Sequence, residues 1–138
     1  MNVIYTTTAN ATGDGRNGRS ELEDGSISFD MRIPTEMGGP GGGPNPEQLF
    51  ALGYAACFHS ALKLIAGLDQ SDVSDSEVSA TVGFGQTPDG GFGLEVALDV
   101  SIPNLPPDQA QALVERAHEV CPYSNATRNN IEVALSVI

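Results

Sequence analysis

The sequence predicts an α+β fold built from antiparallel sheets and two main helices. Three observations support this prediction: a helical pattern that begins near residue 45, a second one that begins near residue 106, and short β-type segments before, between and after them. The predicted order is β-β-α-β-β-α-β. Because domains commonly run about 100–150 residues, we expect residues 1–138 to form a single domain.

The predicted strands are segments that are rich in β-branched residues or that alternate between polar and apolar side chains. They cover residues 3–12, 26–33, 77–85, 92–102 and 131–138. The glycine-rich turn GDGRNGR at 13–19 lies between the first two and predicts a meander of antiparallel strands. The turn TPDGG at 87–91 joins the next two strands and predicts a hairpin.

The first helix has the clearest start signal in the chain. Asn45 can cap it, Pro46 fits its first position, and Gln48 falls at the capping-box position. Small residues recur at helical spacing over 49–64, which predicts close packing against another helix and burial on more than one side. Gly67 is the predicted end of this helix.

The second helix opens at Pro106 and Pro107 and carries an apolar face as far as His118. It is expected to end at Cys121, because the residue before a proline disfavours helix. Residues 122–125 then indicate a polar loop.

Composition narrows the possible partners and the compartment. Eighteen acidic residues against six basic residues give a formal charge of −12, and such a surface repels phosphate backbones. No apolar run approaches the ~20 residues of a membrane span, and the N-terminus lacks the pattern of a secretory signal. We therefore expect a cytoplasmic protein with neither nucleic acid nor a membrane as its partner.

The two cysteines, Cys57 and Cys121, are too few for a disulfide scaffold or for a zinc site of their own. His59 and His118 are the only histidines and could nominally complete a four-ligand set. Cys57 and His59 lie two positions apart in a helical pattern, so their side chains point apart, and we expect no bound metal. Both histidines are expected to be structural or solvent-facing.

The two cysteines differ in their expected surroundings. Cys57 is a small apolar side chain within a helix, and on that ground alone structural burial is the expectation. Cys121 falls at a helix end beside a polar loop, where thiols are accessible. Because the two residues lie far apart in the sequence, their spacing does not establish a pair.

Two long segments resemble the signature motifs of a known family. NPEQLFALGYAACF at 45–58 and AHEVCPYSNATRNN at 117–130 are similar to those of the organic hydroperoxide resistance proteins, thiol peroxidases of the Ohr/OsmC superfamily. The resemblance covers nearly the whole chain, including RNGR at 16–19, EMGGPGGGPNPEQ at 36–48 and GFGLEV. Tyr54 and CPYSNATR favour the Ohr branch over the OsmC branch.

The resemblance implies the roles of four residues. Cys57 matches the peroxidatic thiol, Cys121 the resolving thiol, Arg16 the catalytic arginine, and Glu47 the acid that holds this arginine. The GDGRNGR turn is one residue longer than usual before its arginine, so Arg19 is the alternative, whereas Arg16 keeps the R-x-G-R frame. A guanidinium beside the sulfur favours the thiolate, and a carboxylate can hold a guanidinium in fork geometry.

The resemblance also implies a function: reduction of organic (alkyl, aryl or lipid) hydroperoxides to alcohols in defence against oxidative stress. The implied route passes through a Cys57 sulfenic acid and a Cys57–Cys121 disulfide, with no bound cofactor or metal. The implied reductant is an external dithiol, either dihydrolipoamide or a lipoylated protein, and the implied assembly is an intertwined homodimer. Two alternatives stay open: a redox-sensing or binding module without turnover, and an OsmC-like general peroxidase.

Helix geometry adds an inference about the dimer. Ten residues of continuous helix would place Glu47 about 15 Å from Cys57, with the two side chains about 80° apart. One chain would struggle to bring both residues to one site, whereas antiparallel helices across a two-fold axis could bring Glu47 of one chain to Cys57 of the other. We therefore expect a site that two subunits share.

An organic hydroperoxide would need an apolar wall for its organic group. Phe50, Phe58, Tyr123 and Met37 are candidates to line such a pocket, although core packing is the more common fate of any one of them.

Overall fold

The computed structural model describes residues 1–138 in two units, 1–49 and 50–138. The first unit holds three short strands, β1 (Ala9–Thr12), β2 (Arg19–Leu22) and β3 (Ser28–Asp30). They form an antiparallel sheet in the order β1-β2-β3, which confirms the predicted meander.

The strand boundaries in this unit differ from those that the sequence predicts. Residues 1–8 form no strand and lie exposed, so the predicted strand 3–12 keeps only its last four residues. Strand β2 was missed, because RSEL is polar and follows a glycine-rich turn. Short 3-10 turns cover Gly15–Asn17 and Thr35–Met37.

Helix α1 (Pro46–Asp69) begins as its sequence predicts. The backbone N–H of Gln48 donates to Asn45 Oδ1 at 2.9 Å, and the backbone N–H of Asn45 donates to Gln48 Oε1 at 3.0 Å. These reciprocal bonds are a complete capping box. The helix ends two residues beyond Gly67, where Gln70 takes a left-handed backbone conformation and the N–H of Ser71 donates to the carbonyl of Ala66.

Helix α1 buries one face and leaves another open. The buried side chains recur at helical spacing and are Tyr54, Phe58, Ala61, Leu62, Ile65 and Ala66. Leu52, Leu64 and Leu68 are each more than half exposed, so the expectation of burial on more than one side is wrong for the single chain. Close packing against another helix does occur at Gly53, where an added Cβ would lie 2.9 Å from the Tyr123 hydroxyl.

By length and composition, α1 is apolar enough to cross a membrane, although core helices of soluble proteins meet the same criteria. A third of its most apolar window is buried. The expectation that the sequence contains no membrane span was based on the length of unbroken apolar runs. A hydropathy average over a helix instead tolerates polar residues such as Ser60 and Lys63.

The second unit contains a mixed sheet of β4 (Glu77–Gln86), β5 (Phe92–Ser101) and β6 (Val133–Val137), in that order. Strands β4 and β5 form the predicted hairpin around residues 87–91. Strand β6 pairs with β5 in parallel, so the prediction of purely antiparallel sheets is wrong. The helical connection between β5 and β6 carries the chain back along the sheet, and such a crossover is what parallel neighbours require.

Two helices form this crossover. Helix α2 (Pro107–Val120) ends just before Cys121, as the following proline predicts. Residues 122–125, which the sequence indicated as a loop, belong to a third helix, α3 (Pro122–Thr127). Proline is compatible with the first position of a helix, so Pro122 ends α2 and starts α3 at a sharp corner. Cys121 lies at that corner.

The core of the second unit lies between the sheet and the helices. Strand β5 contributes alternate residues, as a strand with one buried face does, and α2 contributes a four-residue apolar stripe. The buried side chains from these two elements are Val96, Leu98, Val100, Ala110, Leu113, Val114 and Ala117. Cys121 belongs to the same buried cluster.

Candidate active site

The two cysteines meet in the second unit. Cys57 lies in the middle of α1, Cys121 lies between α2 and α3, and their Sγ atoms are 3.5 Å apart. Both are free thiols. A disulfide requires about 2.05 Å between sulfurs, so a closure of about 1.5 Å would join them.

The exposure of the two thiols is the reverse of the sequence-based expectation. Cys121 is fully buried, whereas Cys57 is partly exposed. Cys121 is covered because it belongs to the buried cluster to which α1, β5 and α2 contribute. Cys57 is therefore the sulfur that a dissolved molecule reaches first.

Opposing effects act on the ionisation of Cys57. Burial raises the pKa of the thiol above its ordinary value, because a charged sulfur loses hydration. The backbone N–H of Tyr123 favours the thiolate and lowers the pKa, while the neighbouring Cys121 raises it. Burial dominates, so within this unit the pKa of Cys57 is raised.

Arg16 and Glu47 form a two-pronged ion pair in the first unit. Arg16 Nη1 donates to Glu47 Oε2 at 2.9 Å, and Arg16 Nη2 donates to Oε1 at 2.7 Å. The hydrogen bonds from Arg16 lower the pKa of Glu47 and outweigh the opposing effect of burial. Glu47 also lies in the first turn of α1, where the helix dipole favours a negative charge.

Arg19 has different partners. Its guanidinium donates to Asp30 Oδ1 at 3.1 Å and to Ser28 Oγ at 2.9 Å, and it also contacts Glu21. All these contacts lie on the exposed surface of the three-stranded sheet. Of the two arginines in the turn, Arg16 is the one that Glu47 holds.

Local backbone structure separates the two arginines. Arg16 sits in the 3-10 turn, and Arg19 is the first residue of β2. Gly13 and Gly15 both have left-handed φ values, of 77° and 54°, which side chains disfavour. Gly18 has no room for a side chain, because a Cβ would lie 2.3 Å from the carbonyl oxygen of Thr12. The glycines therefore make the tight turn that presents Arg16.

A chain of buried hydroxyl groups lies beside the thiols and was missed by the sequence analysis. Tyr54 Oη lies 2.9 Å from Ser124 Oγ and 3.1 Å from Thr127 Oγ1. Ser124 Oγ lies 2.8 Å from His118 Nδ1, and the hydroxyl of Thr127 donates to the carbonyl of Ser124. The sequence does contain an indication of this hydroxyl chain, because Tyr54 and Ser124 each lie three positions from a cysteine.

An apolar cavity of about 550 Å³ opens beside α3. Its apolar lining consists of Phe50, Phe92, Leu94, Tyr123, Ala126 and Ile131. Phe50 and Tyr123 were candidates for a pocket, and both line this one. Phe58 does not, because it is fully buried in the core, and Met37 lies exposed in the first unit. Tyr123 links cavity and thiol, since its ring lines the cavity and its backbone N–H interacts with Cys57.

The two histidines have hydroxyl partners. His59 Nε2 lies 2.9 Å from Ser76 Oγ, and His118 belongs to the hydroxyl chain. Burial lowers the pKa of both histidines. No group of three or more His, Cys, Asp or Glu side chains has an arrangement that could hold a metal ion.

Comparison with known proteins shows the family of this chain. The sequence model of the OsmC-like protein family matches residues 39–136, which is most of the chain. The matched range includes Glu47, Cys57 and Cys121.

Named relatives narrow the assignment. The organic hydroperoxide resistance protein of Xanthomonas axonopodis pv. citri is 48% identical, over 98% of this chain and 95% of its own. The structure of an organic hydroperoxide resistance protein from Elizabethkingia anophelis has a TM-score of 0.94 at 50% identity, covering 99% of this chain and 98% of its own. The structure of OhrB from Bacillus subtilis has a TM-score of 0.89 at 42% identity, and the match covers 99% of this chain and 100% of that one. The chain belongs to the OsmC-like family and, within it, to the organic hydroperoxide resistance proteins.

Proposed function

We propose that this protein is a thiol peroxidase that reduces organic hydroperoxides to alcohols in defence against oxidative stress. The observation that carries the proposal is the pair of free thiols 3.5 Å apart, one partly exposed and one fully buried. A sulfur that reacts first must be reachable, and a sulfur that reacts second must already be near. Cys57 and Cys121 meet these two requirements in that order.

The first step oxidises Cys57 by two electrons. The Cys57 thiolate attacks the terminal oxygen of the hydroperoxide, an S–O bond forms, and the O–O bond breaks. The products are Cys57 sulfenic acid and an alkoxide, which takes up a proton and leaves as the alcohol. This step needs an anionic sulfur and stabilisation of the negative charge on the departing oxygen.

The second step forms the disulfide. Cys121, as the thiolate, attacks the sulfenic sulfur of Cys57, an S–S bond forms, and the S–O bond breaks. The oxygen departs with two protons as water, so the disulfide carries the two-electron oxidation of the pair. Rapid closure protects Cys57 from a second peroxide, which would convert it to the sulfinic acid.

We assign to Arg16 the task of favouring the Cys57 thiolate and the charge on the departing oxygen. Burial raises the pKa of Cys57, so a cation beside the sulfur would favour the thiolate that the first step needs. Glu47 would hold the guanidinium in one orientation through its two hydrogen bonds.

We further propose that the site is shared across a homodimer. Helix α1 is continuous from Pro46 to Asp69, and ten residues of helix separate Glu47 from Cys57 by about 15 Å. The partner subunit's Arg16 and Glu47 would therefore serve Cys57 of this chain. The exposed leucines of α1 support such an assembly, because a second subunit would cover them.

The apolar cavity is the proposed binding place for the organic group. Tyr123 lines it and also faces the sulfur of Cys57 through its backbone N–H. An alkyl, aryl or lipid group could occupy the cavity while the peroxide oxygen meets the sulfur. The disulfide would then be reduced by an external dithiol, either dihydrolipoamide or a lipoylated protein, through thiol–disulfide exchange.

Catalytic turnover tests the proposal. Protein incubated with excess dihydrolipoamide and cumene hydroperoxide should consume many equivalents of peroxide per subunit and produce cumyl alcohol. Consumption that stops after one equivalent, with the disulfide persisting despite the dithiol, would contradict an enzyme and would fit a redox-sensing module.

A further inference from the structure

The buried hydroxyl chain beside the thiols has a direction that follows from counting hydrogens. It comprises four contacts: His118 to Ser124, Ser124 to Tyr54, Tyr54 to Thr127, and Thr127 to the carbonyl of Ser124. Each contact needs one hydrogen. The three hydroxyl groups supply three, because each carries a single O–H. The fourth must come from Nδ1 of His118.

The direction of each bond is then fixed. A carbonyl can only accept, so the hydroxyl of Thr127 donates to the carbonyl of Ser124. Tyr54 must therefore donate to Thr127, Ser124 must donate to Tyr54, and His118 Nδ1–H must donate to Ser124. The Nδ1–H form is the less common tautomer of a free neutral imidazole, so this assignment is specific. Burial and the charge of Arg128 lower the pKa of His118, which favours the neutral ring.

The hydroxyl chain joins the same two segments of the protein as the thiol pair does. Tyr54 precedes Cys57 by three residues on α1, and Ser124 follows Cys121 by three residues in α3. The Tyr54–Ser124 hydrogen bond therefore joins the same two segments that the 3.5 Å sulfur contact joins, about one helical turn away. Tyr54 and Ser124 are both fully buried, so water does not compete for this bond.

His118 adds a connection to α2. It precedes Cys121 by three residues, so its bond to Ser124 spans the corner at which Cys121 lies. Arg128, which directly follows α3, donates from Nη2 to the carbonyl of His118 at 2.7 Å and so joins the end of α3 to α2. Hydrogen bonds thus hold the corner to α1 and to α2.

We propose that His118 and Ser124 are positioning residues for the resolving step, in which the His118 Nδ1–H donates to Ser124 and holds Cys121 within closing distance of oxidised Cys57. This role rests on the proposed peroxidase function. Neither residue touches the reacting sulfurs through its own side-chain hydrogen bonds. Their effect is on how often Cys121 lies where it can attack the Cys57 sulfenic acid, form the S–S bond and release water.

The tautomer can be tested without any assay of activity. Nitrogen-15 NMR of the reduced wild-type protein, at a pH well above the ionisation of His118, should show Nδ1 protonated and Nε2 unprotonated. The same measurement on Ser124→Ala should show that preference weakened or lost, because the acceptor is gone. A wild-type ring protonated at Nε2 alone would overturn the assignment.

The fate of oxidised Cys57 tests the positioning role. Reduced protein is treated with rising concentrations of cumene hydroperoxide without a reductant, and mass spectrometry measures the ratio of disulfide to sulfinic Cys57. At the same peroxide concentration, His118→Leu and Ser124→Ala should lower this ratio about five- to tenfold relative to wild type. The reason is slower disulfide formation, by the factor expected for loss of one hydrogen bond. The rate of the first oxidation should change little.

Two matched variants separate positioning from loss of structure. His118→Asn keeps an N–H donor at the same number of bonds from the backbone as Nδ1, and it should restore most of the disulfide rate. Glu115→Gln alters an exposed side chain of the same helix, where Glu115 accepts from Gln111, and should behave as wild type. An unchanged ratio in both His118→Leu and Ser124→Ala, with a wild-type protein that forms the disulfide, would overturn the positioning role alone. A wild-type Cys57 that never oxidises would instead overturn the proposed function.

Discussion

Cys57 Sγ lies 3.5 Å from Cys121 Sγ although 64 positions separate the two residues in the sequence. Helix α1 and the corner between α2 and α3 bring them together, and the corner is held by backbone and side-chain hydrogen bonds. Disulfide formation therefore requires a small local closure. The two proposed roles follow from the difference in exposure, because only Cys57 is partly exposed.

Replacement of each cysteine should give a different defect. Cys57→Ser should reduce peroxidase activity to the uncatalysed background, because a hydroxyl of similar size is a far weaker nucleophile at neutral pH. Cys121→Ser should still react once and then accumulate sulfenic and sulfinic Cys57. Steady-state peroxide consumption and intact-protein mass spectrometry measure these outcomes, and full multi-turnover activity in Cys57→Ser would reverse the roles.

The two arginines of the glycine-rich turn should differ in their effect on Cys57. Arg16→Ala removes the proposed cation, so the pKa of Cys57 should rise and its rate of alkylation against pH should shift to higher pH. Peroxide reduction should slow about a hundredfold, as when one charge-stabilising group is removed from an active site. Arg19→Ala is the matched control, because its side chain binds surface groups. A larger effect in Arg19→Ala would move the role to that residue.

Structural features that depend on a few neighbouring residues were predicted correctly from the sequence. The capping box of Asn45 and Gln48 and the start of α1 at Pro46 are local, and the structure has them as predicted. The β4–β5 hairpin is also local, since its two strands flank a short turn. The pairing of Arg16 with Glu47 joins residues 31 positions apart, and it was expected from the family resemblance.

Three properties that depend on distant contacts, and for which the resemblance gave no residue roles, were not predicted correctly. Cys121 was expected to be accessible because its neighbours are polar, but it is buried in the hydrophobic core cluster. Strand β6 was expected to be antiparallel, but its direction depends on how α2 and α3 cross the sheet. The hydroxyl chain was missed for the same reason, since Tyr54 and Ser124 lie 70 positions apart.

Mixed dimers should test whether subunits share the site. Glu47→Ala and Cys57→Ser homodimers should both be nearly inactive. A dimer with one subunit of each kind should contain one intact site, because both lesions fall in the other site, and should regain about half of the wild-type activity. Activity is measured after subunit exchange has been verified by native mass spectrometry. No recovery in verified mixed dimers would place Glu47 and Cys57 of one chain in the same site.

Gly53→Ala should alter the cavity with little effect elsewhere. A Cβ at Gly53 would lie 2.9 Å from the hydroxyl of Tyr123, so the Tyr123 ring must shift within the cavity wall. We expect KM for a bulky aryl hydroperoxide to change several-fold, whereas the Tm should change little, because alanine favours helix over glycine by about 1 kcal/mol and offsets the crowding.

Gly67→Ala is the control for this substitution. Gly67 lies in the same helix, and an added Cβ would meet nothing within 4 Å. Gly67→Ala should raise the free energy of unfolding by about 0.5–1 kcal/mol and leave KM unchanged. If KM for the aryl hydroperoxide is the same in the two variants, Tyr123 does not contribute to substrate binding.

Discrimination between organic hydroperoxides and hydrogen peroxide tests the central claim most directly. The sulfur chemistry is common to both, so preference must come from burial of the organic group, at about 0.8 kcal/mol per methylene. Several methylenes in the cavity would raise kcat/KM by orders of magnitude, since about 1.4 kcal/mol corresponds to a factor of ten. With the same dithiol reductant, kcat/KM for cumene hydroperoxide or a fatty-acid hydroperoxide should exceed that for hydrogen peroxide by at least about a hundredfold. Equal values would contradict the account and would indicate a general peroxidase.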